Sequence, residues 1–137
     1  MIEKSYGIIP LNNEEGKWWS FLIHQRNGDY WGFPKGHPNE GEEKKEAAVR
    51  ELFEEVGLKI LSFLEIPPIT SSYTFNRKGE SIEKHVELFL ALTTVEYRLQ
   101  SEEIIDARWI PLDEAFETIS FEEGKQVINQ LKKRLEK

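Results

Sequence analysis

The chain has no cysteine in 137 residues. That removes disulfides, thiolate metal centres and cysteine nucleophiles from consideration, and it fits a reducing compartment. No apolar run is long enough to cross a bilayer as a helix. The opening residues MIEKSYG also lack the pattern of a signal peptide. A cytoplasmic protein with no membrane partner is the expectation. Positive charge is in short supply: 18 Lys and Arg face 25 Asp and Glu, for a formal net charge of −7. Such a surface is poorly suited to holding long nucleic acid through its phosphates, so no stable nucleic-acid partner is expected. A small polyphosphate that arrives with its own cations is compatible with it. Repeats, low-complexity tracts and linkers are missing too, so residues 1–137 read as one domain. With 39% hydrophobic and 12% aromatic residues, that domain should be globular.

What is present is concentrated between Gly36 and Leu58, which reads GHPNEGEEKKEAAVRELFEEVGL. Gly36, Glu42, Arg50, Glu51, Leu52, Glu54, Glu55, Gly57 and Leu58 fall on the spacing G-x5-E-x7-R-E-U-x-E-E-x-G-U, where U is aliphatic. Residues 43–56 contain helix formers and neither Pro nor Gly, so this stretch predicts a helix. Glu42 and Glu43 complement its N-terminus, and Gly57 suits a left-handed C-terminal cap. At about 100° per residue, Ala48, Val49, Leu52, Phe53 and Val56 share one arc, read as the core side. Glu51, Glu54 and Glu55 share the opposite arc, with the small Ala47 between them leaving room for phosphate oxygens. Carboxylates crowded on one helix face repel one another, and a hard cation with oxygen ligands removes that cost. Glu42 and Arg50 lie about two turns apart and read as an ion pair that orients the segment. Gly36 is placed in the preceding loop, where a missing Cβ lets a backbone carbonyl come close to a metal. A solvated acidic helix face is the bland alternative.

Around this segment, Ser5–Leu11 and Trp18–Gln25 predict strands joined by a turn at Asn12–Gly16. Arg26–Tyr30 is a second turn, and Trp31–Pro34 a short extended piece. Leu58–Glu65 predicts a strand, and Pro67 and Pro68 an irregular segment. Ser71–Phe75 and Lys84–Thr94 predict paired strands with a loop at Asn76–Glu80. The second of these alternates with a period of two through Val86, Leu88, Leu90 and Leu92. Ala107–Ile110 predicts a strand; Leu112–Ile119 and Phe121–Leu135 predict helices. The expected fold class is α/β, a mixed sheet packed between helices.

The 36–58 spacing is that of the Nudix box, and the chain resembles a Nudix hydrolase. The resemblance implies an α/β/α sandwich with a loop–helix–loop metal site and hydrolysis of a phosphoanhydride bond. It implies that Glu51 and Glu55 hold Mg2+ (or Mn2+), and that Glu54 is a ligand or the general base. It further implies a ligand from a carbonyl at Gly36 or Lys35. In many members a later loop adds a carboxylate; in SEEIIDARWIPLDEA that is Glu103 first and Glu102 second.

Outside the box, YWGFPKGHPNEGE resembles the W-x-x-P-K-G-H run of asymmetric diadenosine tetraphosphate hydrolases. SYGIIPL and KHVELFLA are similar to bacterial members of that group. Tyr73, sixteen residues beyond Gly57, falls where such enzymes carry a tyrosine that stacks on a base; it also reads as a half-buried strand residue. Lys35 and His37 are candidate phosphate contacts, with loop lysine and local hydrogen bonder as their bland readings. Lys84 is a candidate for the polyphosphate, though a solvated edge lysine is its simpler reading. His24 and His85 read as structural. Leu88 stands where some animal members have an aromatic residue. The resemblance therefore implies a small dinucleoside polyphosphate as partner. Alternatives are removal of pyrophosphate from a triphosphorylated RNA 5′ end, for which FPKGH departs from FPQGG, and nucleoside triphosphate pyrophosphohydrolysis. A nucleotide-sensing module without turnover is the non-enzymatic alternative.

Overall fold

The computed structural model describes residues 1–136, so residue 137 of the expected domain lies outside them. Within these residues eight strands and three helices follow one another. They are β1 (Ile2–Glu14), β2 (Lys17–Gln25), β3 (Tyr30–Gly32), β4 (Lys35–Gly36), α1 (Lys44–Val56), β5 (Ile60–Phe63), β6 (Ile69–Arg77), β7 (Glu80–Thr93), β8 (Ile104–Pro111), α2 (Leu112–Thr118) and α3 (Glu122–Leu135). All eight strands share one sheet whose central path is β3-β2-β1-β7-β5, with β4 on β1, β6 on β7 and β8 on β2. β1 and β7 run parallel, and the other pairs are antiparallel. The sheet is mixed and the class α/β, as expected.

Consecutive apolar residues on the central strands feed two separate cores. Ile9, Leu11, Leu22, Val86, Leu88 and Leu90 pack on α2 and α3. Ile8, Phe21, Ile23, Phe89 and Ala91 pack on α1. Side chains alternate across a strand, so a strand covered on both faces must be apolar on both. That is why the clean alternation expected of 84–94 fades into continuous burial from Leu88 to Ala91.

The expected turn at Asn12–Gly16 and the expected loop at Asn76–Glu80 are both two-residue hairpins. Glu14 pairs with Lys17, and Arg77 with Glu80. The intervening Glu15-Gly16 and Lys78-Gly79 all have positive φ, between 52° and 82°. Both central residues being left-handed is the turn whose twist matches antiparallel strands. Neither pair carries the Asn-Gly or Asp-Gly signal, so the sequence made both connections longer than they are. In the other direction, the strand expected at Leu58–Glu65 shrinks to Ile60–Phe63.

The segment Lys35-Gly36 also differs from expectation: it is not loop but a short strand on β1, with Tyr6 opposite Gly36 and Gly7 opposite Lys35. β1 therefore pairs β4 along its first half and β2 along its second. Gly7 permits this crossing. A Cβ there would press on the Pro34 carbonyl and lie 2.8 Å from Lys35 Cβ and 3.0 Å from Leu88 Cδ2. The strand split seats the start of the box beside the sheet floor.

Candidate active site

α1 begins after Glu43, whose N–H donates to the Glu46 carboxylate at 3.4 Å. It ends at Gly57, left-handed at φ 75° as the spacing requires. The acidic side of the helix is covered unevenly: Glu55 is buried, Glu51 half-buried and Glu54 exposed. Glu51 lies against Gly36: a Cβ at residue 36 would sit 2.5 Å from Glu51 Cγ and 2.7 Å from its Oε1. Glycine is needed at this position to make room for Glu51 itself.

The core side of the helix differs from the wheel projection. Ala48, Leu52 and Val56 are buried as expected, but Phe53 is 46% exposed, while Ala47 and Glu55 are buried. The sheet curls over the Ala47–Glu51–Glu55 side through β4, and the loop after β7 closes the C-terminal end. In that loop the Arg98 N–H donates to the Val56 carbonyl at 2.9 Å and the Gln100 N–H to the Glu55 carbonyl at 2.9 Å. The Gln100 side-chain amide reaches the Phe53 carbonyl at 2.6 Å. These bonds satisfy terminal carbonyls of α1 and deliver Glu103 to the site. The Glu103 carbonyl accepts from the Arg26 N–H at 2.7 Å, which fastens the loop to the end of β2.

Arg50 organises the other carboxylates of the segment. Its Nε and Nη2 grip Glu42 at 2.8 and 3.1 Å, and Nη1 reaches Glu51 at 3.1 Å and Glu54 at 2.7 Å. Nη2 also donates to the His37 carbonyl at 3.0 Å. The expected Glu42–Arg50 pair is present, and it is the planar fork that suits guanidinium and carboxylate. The Arg50 hydrogen bond, helped by the Asn39 N–H, holds Glu42 below the usual carboxylate range. Glu42 in turn stabilises the Arg50 charge further.

Glu55 receives no such help. Its Oε1 is buried with no hydrogen-bond partner. Burial, then the charges of Glu51, Glu103 and Glu54, push its pKa up to about 8 against the pull of Lys35. The charge of Glu103 is thus among those that act on Glu55. No three Asp, Glu or His side chains among the described residues form a finished cation cage. The donor set nevertheless fits a hard cation. An orphaned buried carboxylate oxygen, two neighbouring carboxylates and a glycine-lined strand supply oxygen ligands and unmet negative charge.

Lys35 stands between this acidic end and a cavity. Burial, then Lys84, push its pKa down to about 8, while Glu123 and Glu55 oppose that shift. Lys84 is not the solvated edge lysine of the simple reading. It is 8% exposed on β7, between β1 and β6, opposite both Glu3 and Tyr73, with Nζ 3.6 Å from the Glu3 carboxylate. His37 Nδ1 donates to the Lys4 carbonyl at 2.9 Å, which ties the box entry to β1.

The cavity measures about 500 Å³ and lies on the α3 side of the sheet, with Val86 and Leu88 on its floor. Tyr30, Trp31, Phe33, Tyr73, Phe75 and Phe121 supply its aromatic walls. Tyr73 is half-buried there, 6.0 Å from Phe75 between ring centres. Tyr30 lies 5.0 Å from Phe121 and beneath Lys35 Nζ at 5.9 Å. Trp31 is stacked on His24 at 4.8 Å, and His24 is in turn bonded to Asp29 at 2.5 Å, which agrees with a structural role for that histidine. Sequence reasoning missed Tyr30, Phe75, Phe121 and Glu123. They come from separate segments with no shared spacing, and only the YWGF run hinted at the first.

Fold and box together define an α/β/α protein with a carboxylate helix set against a glycine-containing strand. The chain belongs to the NUDIX domain family, which matches residues 1–131. It is 33% identical over 115 residues to the asymmetrical bis(5′-nucleosyl)-tetraphosphatase of Rattus norvegicus, covering 80% of this chain and 76% of that protein. It is 27% identical over 124 residues to an RNA pyrophosphohydrolase of Nitratiruptor sp., covering 82% of this chain and 80% of that one. Against several longer curated relatives the chain spans less than half of their length. Its fold matches a C. elegans Ap4A hydrolase binary complex with a TM-score of 0.75 at 21% identity, over 96% of each chain.

Proposed function

We propose that the chain hydrolyses a phosphoanhydride bond in a dinucleoside polyphosphate, cleaving diadenosine tetraphosphate asymmetrically to ATP and AMP. The observation that carries this reading is the junction at Lys35. An aromatic cavity sized for a base opens onto a lysine that feels both Glu55 and Lys84. A nucleobase on one side and phosphates on the other is the ligand such a junction suits. Glu51, Glu55 and the Gly36 carbonyl are the expected ligands of Mg2+ or Mn2+, with Glu54 as a further ligand or as the base. A bound cation of this kind would neutralise phosphate charge and lower the pKa of a water. Arg50 orients the glutamates. Lys35 and Lys84 serve the phosphates as point charges, and His37 is a candidate Nε2 donor to them. Glu54 or Glu103 takes a proton from the attacking water as the phosphorus–oxygen bridge breaks. Tyr73 stacks one base.

The test is incubation of the purified protein with magnesium and diadenosine tetraphosphate, with ATP and RNA 5′-triphosphate in parallel. Equal amounts of ATP and AMP support the proposal. Pyrophosphate from RNA, with the dinucleotide untouched, would replace it with RNA pyrophosphohydrolysis. Tight binding without turnover of any substrate would point to a sensing module.

A further inference from the structure

We propose that Glu123 reads the exocyclic amine of the base held in the aromatic cavity. The inference rests on the reading of that cavity as a base site. Glu123 is the one carboxylate on walls that are otherwise aromatic, aliphatic, small or hydroxylic apart from Lys35. It is half-buried, and among the described residues it makes no hydrogen bond or ion pair. Its charge reaches Lys35 on one side and Tyr73 on the other.

The first turn of α3 fixes its place. Gly124 lets that turn press onto Ile119, where a Cβ would lie 2.9 Å from Ile119 Cγ1 and 2.7 Å from Cδ1. The helix therefore cannot back away from the cavity without leaving a gap at Ile119, itself a lining residue and buried.

A carboxylate only accepts hydrogen bonds. It repels phosphate and base carbonyl oxygens and rewards an N–H or O–H. A base stacked on Tyr73 presents its edge in the ring plane, and an exocyclic amine is the donor on that edge. The ribose hydroxyls are the other donors a nucleotide has. They lie nearer the phosphates than the amine does, and Lys35 marks the phosphate side. The base amine is accordingly the partner assigned here. A Glu123 carboxylate facing a purine without that amine loses part of its water to the base and gains no donor in return, which is where discrimination arises.

The experiment is calorimetric titration of the whole protein, without divalent cation, using three ligands. These are AMP, purine riboside 5′-monophosphate (no amine) and 2′-deoxy-AMP (one ribose hydroxyl fewer). The wild type should bind AMP about tenfold more tightly than the amine-free analogue, the ratio of one charge-assisted hydrogen bond at a half-exposed site. Glu123→Gln keeps an acceptor and should retain part of the ratio. Glu123→Ala should bring it to about one. Because each protein is compared only with itself, loss of fold cannot imitate this result. Equal binding of AMP and the amine-free analogue by the wild type would overturn the inference while leaving the base site standing. So would a loss confined to 2′-deoxy-AMP, which would move Glu123 to the ribose. No binding of AMP at all would remove the base site and the inference with it, whatever the hydrolysis assay shows.

Discussion

The carboxylate helix and the aromatic cavity are built in opposite ways. α1 and its flanks come from one stretch, 36–58, and their polar atoms are tied together by a single residue, Arg50. The cavity is assembled from four separated stretches, joined by the β6–β7 ladder and by hydrogen bonds between Trp31 and Ser120. Reaction chemistry tolerates little displacement, so it belongs on one rigid element. Base recognition by stacking needs only faces in roughly the right place. The expectation is that substitutions on α1 act on turnover and those in the cavity act on binding.

The largest effect should come from Glu54→Gln. It removes a carboxylate held by Arg50 at 2.7 Å without changing its size. Loss of a positioned base or ligand should lower kcat by roughly 10²–10⁴, with KM for the dinucleotide little changed, as steady-state kinetics would show. Chelation of divalent cation should have the same signature, abolishing turnover while AMP still binds. If Glu54→Gln instead raised KM at constant kcat, the division between the two regions would collapse.

Tyr73→Ala is the converse probe. Removing a stacking platform should cost about 1–3 kcal/mol per base, read as a rise in KM with kcat preserved. A Tyr73→Phe control should behave nearly as the wild type, because the ring face and not the hydroxyl carries the contact. A selective fall in kcat would mean that the cavity also positions the scissile bond.

Glu55→Gln should separate stability from activity. Its carboxyl is pushed from an ordinary 4.5 up to about 8 by burial first and then by Glu51. The native state therefore holds a proton that the unfolded chain releases between those values. Stability from this group is complete below pH 4.5 and is lost as pH rises towards 8. Without cation, the wild type should become less stable across that window. The glutamine variant should escape this decline and exceed the wild type near pH 8 by about 1–3 kcal/mol, the cost of a buried unsatisfied group. Added magnesium should stabilise the wild type most at high pH and the variant hardly at all. Thermal melts over a pH series measure both. A wild type whose cation-free stability rises through this window would contradict the burial assigned to Glu55.

The two regions also differ in how legible they were. The spacing of 36–58 revealed the helix, its caps, the Glu42–Arg50 pair and the cluster of glutamates, because each depends on residues within two turns. It did not reveal which side of α1 would be covered. That depends on β4 and on the loop through Gln100, which lie outside the helix. In the cavity, Tyr73 and Lys35 could be singled out only through resemblance to relatives. Their neighbours Phe121 and Glu123 carry no local signal and Tyr30 only the YWGF run, since strand pairing and the seat of α3 bring them together. Lys84 shows the same limit. A lysine in a β-strand suggests an edge, but the parallel pairing of β1 with β7 puts it in the middle of the sheet.

The smallest effect tests that limit directly. A periodicity argument puts Phe53 in the core with Leu52 and Val56, and on that basis its replacement by a polar residue should cost several kcal/mol. The structure leaves its side chain 46% exposed. Its backbone carbonyl is engaged by Gly57 and Gln100, and substitution does not touch that group. Phe53→Gln keeps helix propensity near that of the original residue or above it. It should therefore shift denaturant stability by no more than about 0.5 kcal/mol, as expected for a surface site, and leave kcat and KM unchanged. Leu52→Ala, one residue away and fully buried, should cost about 2–5 kcal/mol. A contrast of that size between neighbours would show that the sheet and the Gln100 loop, and not the helical period, decide which face of α1 is covered. Comparable losses at both positions would place Phe53 under an additional surface and break the assignment.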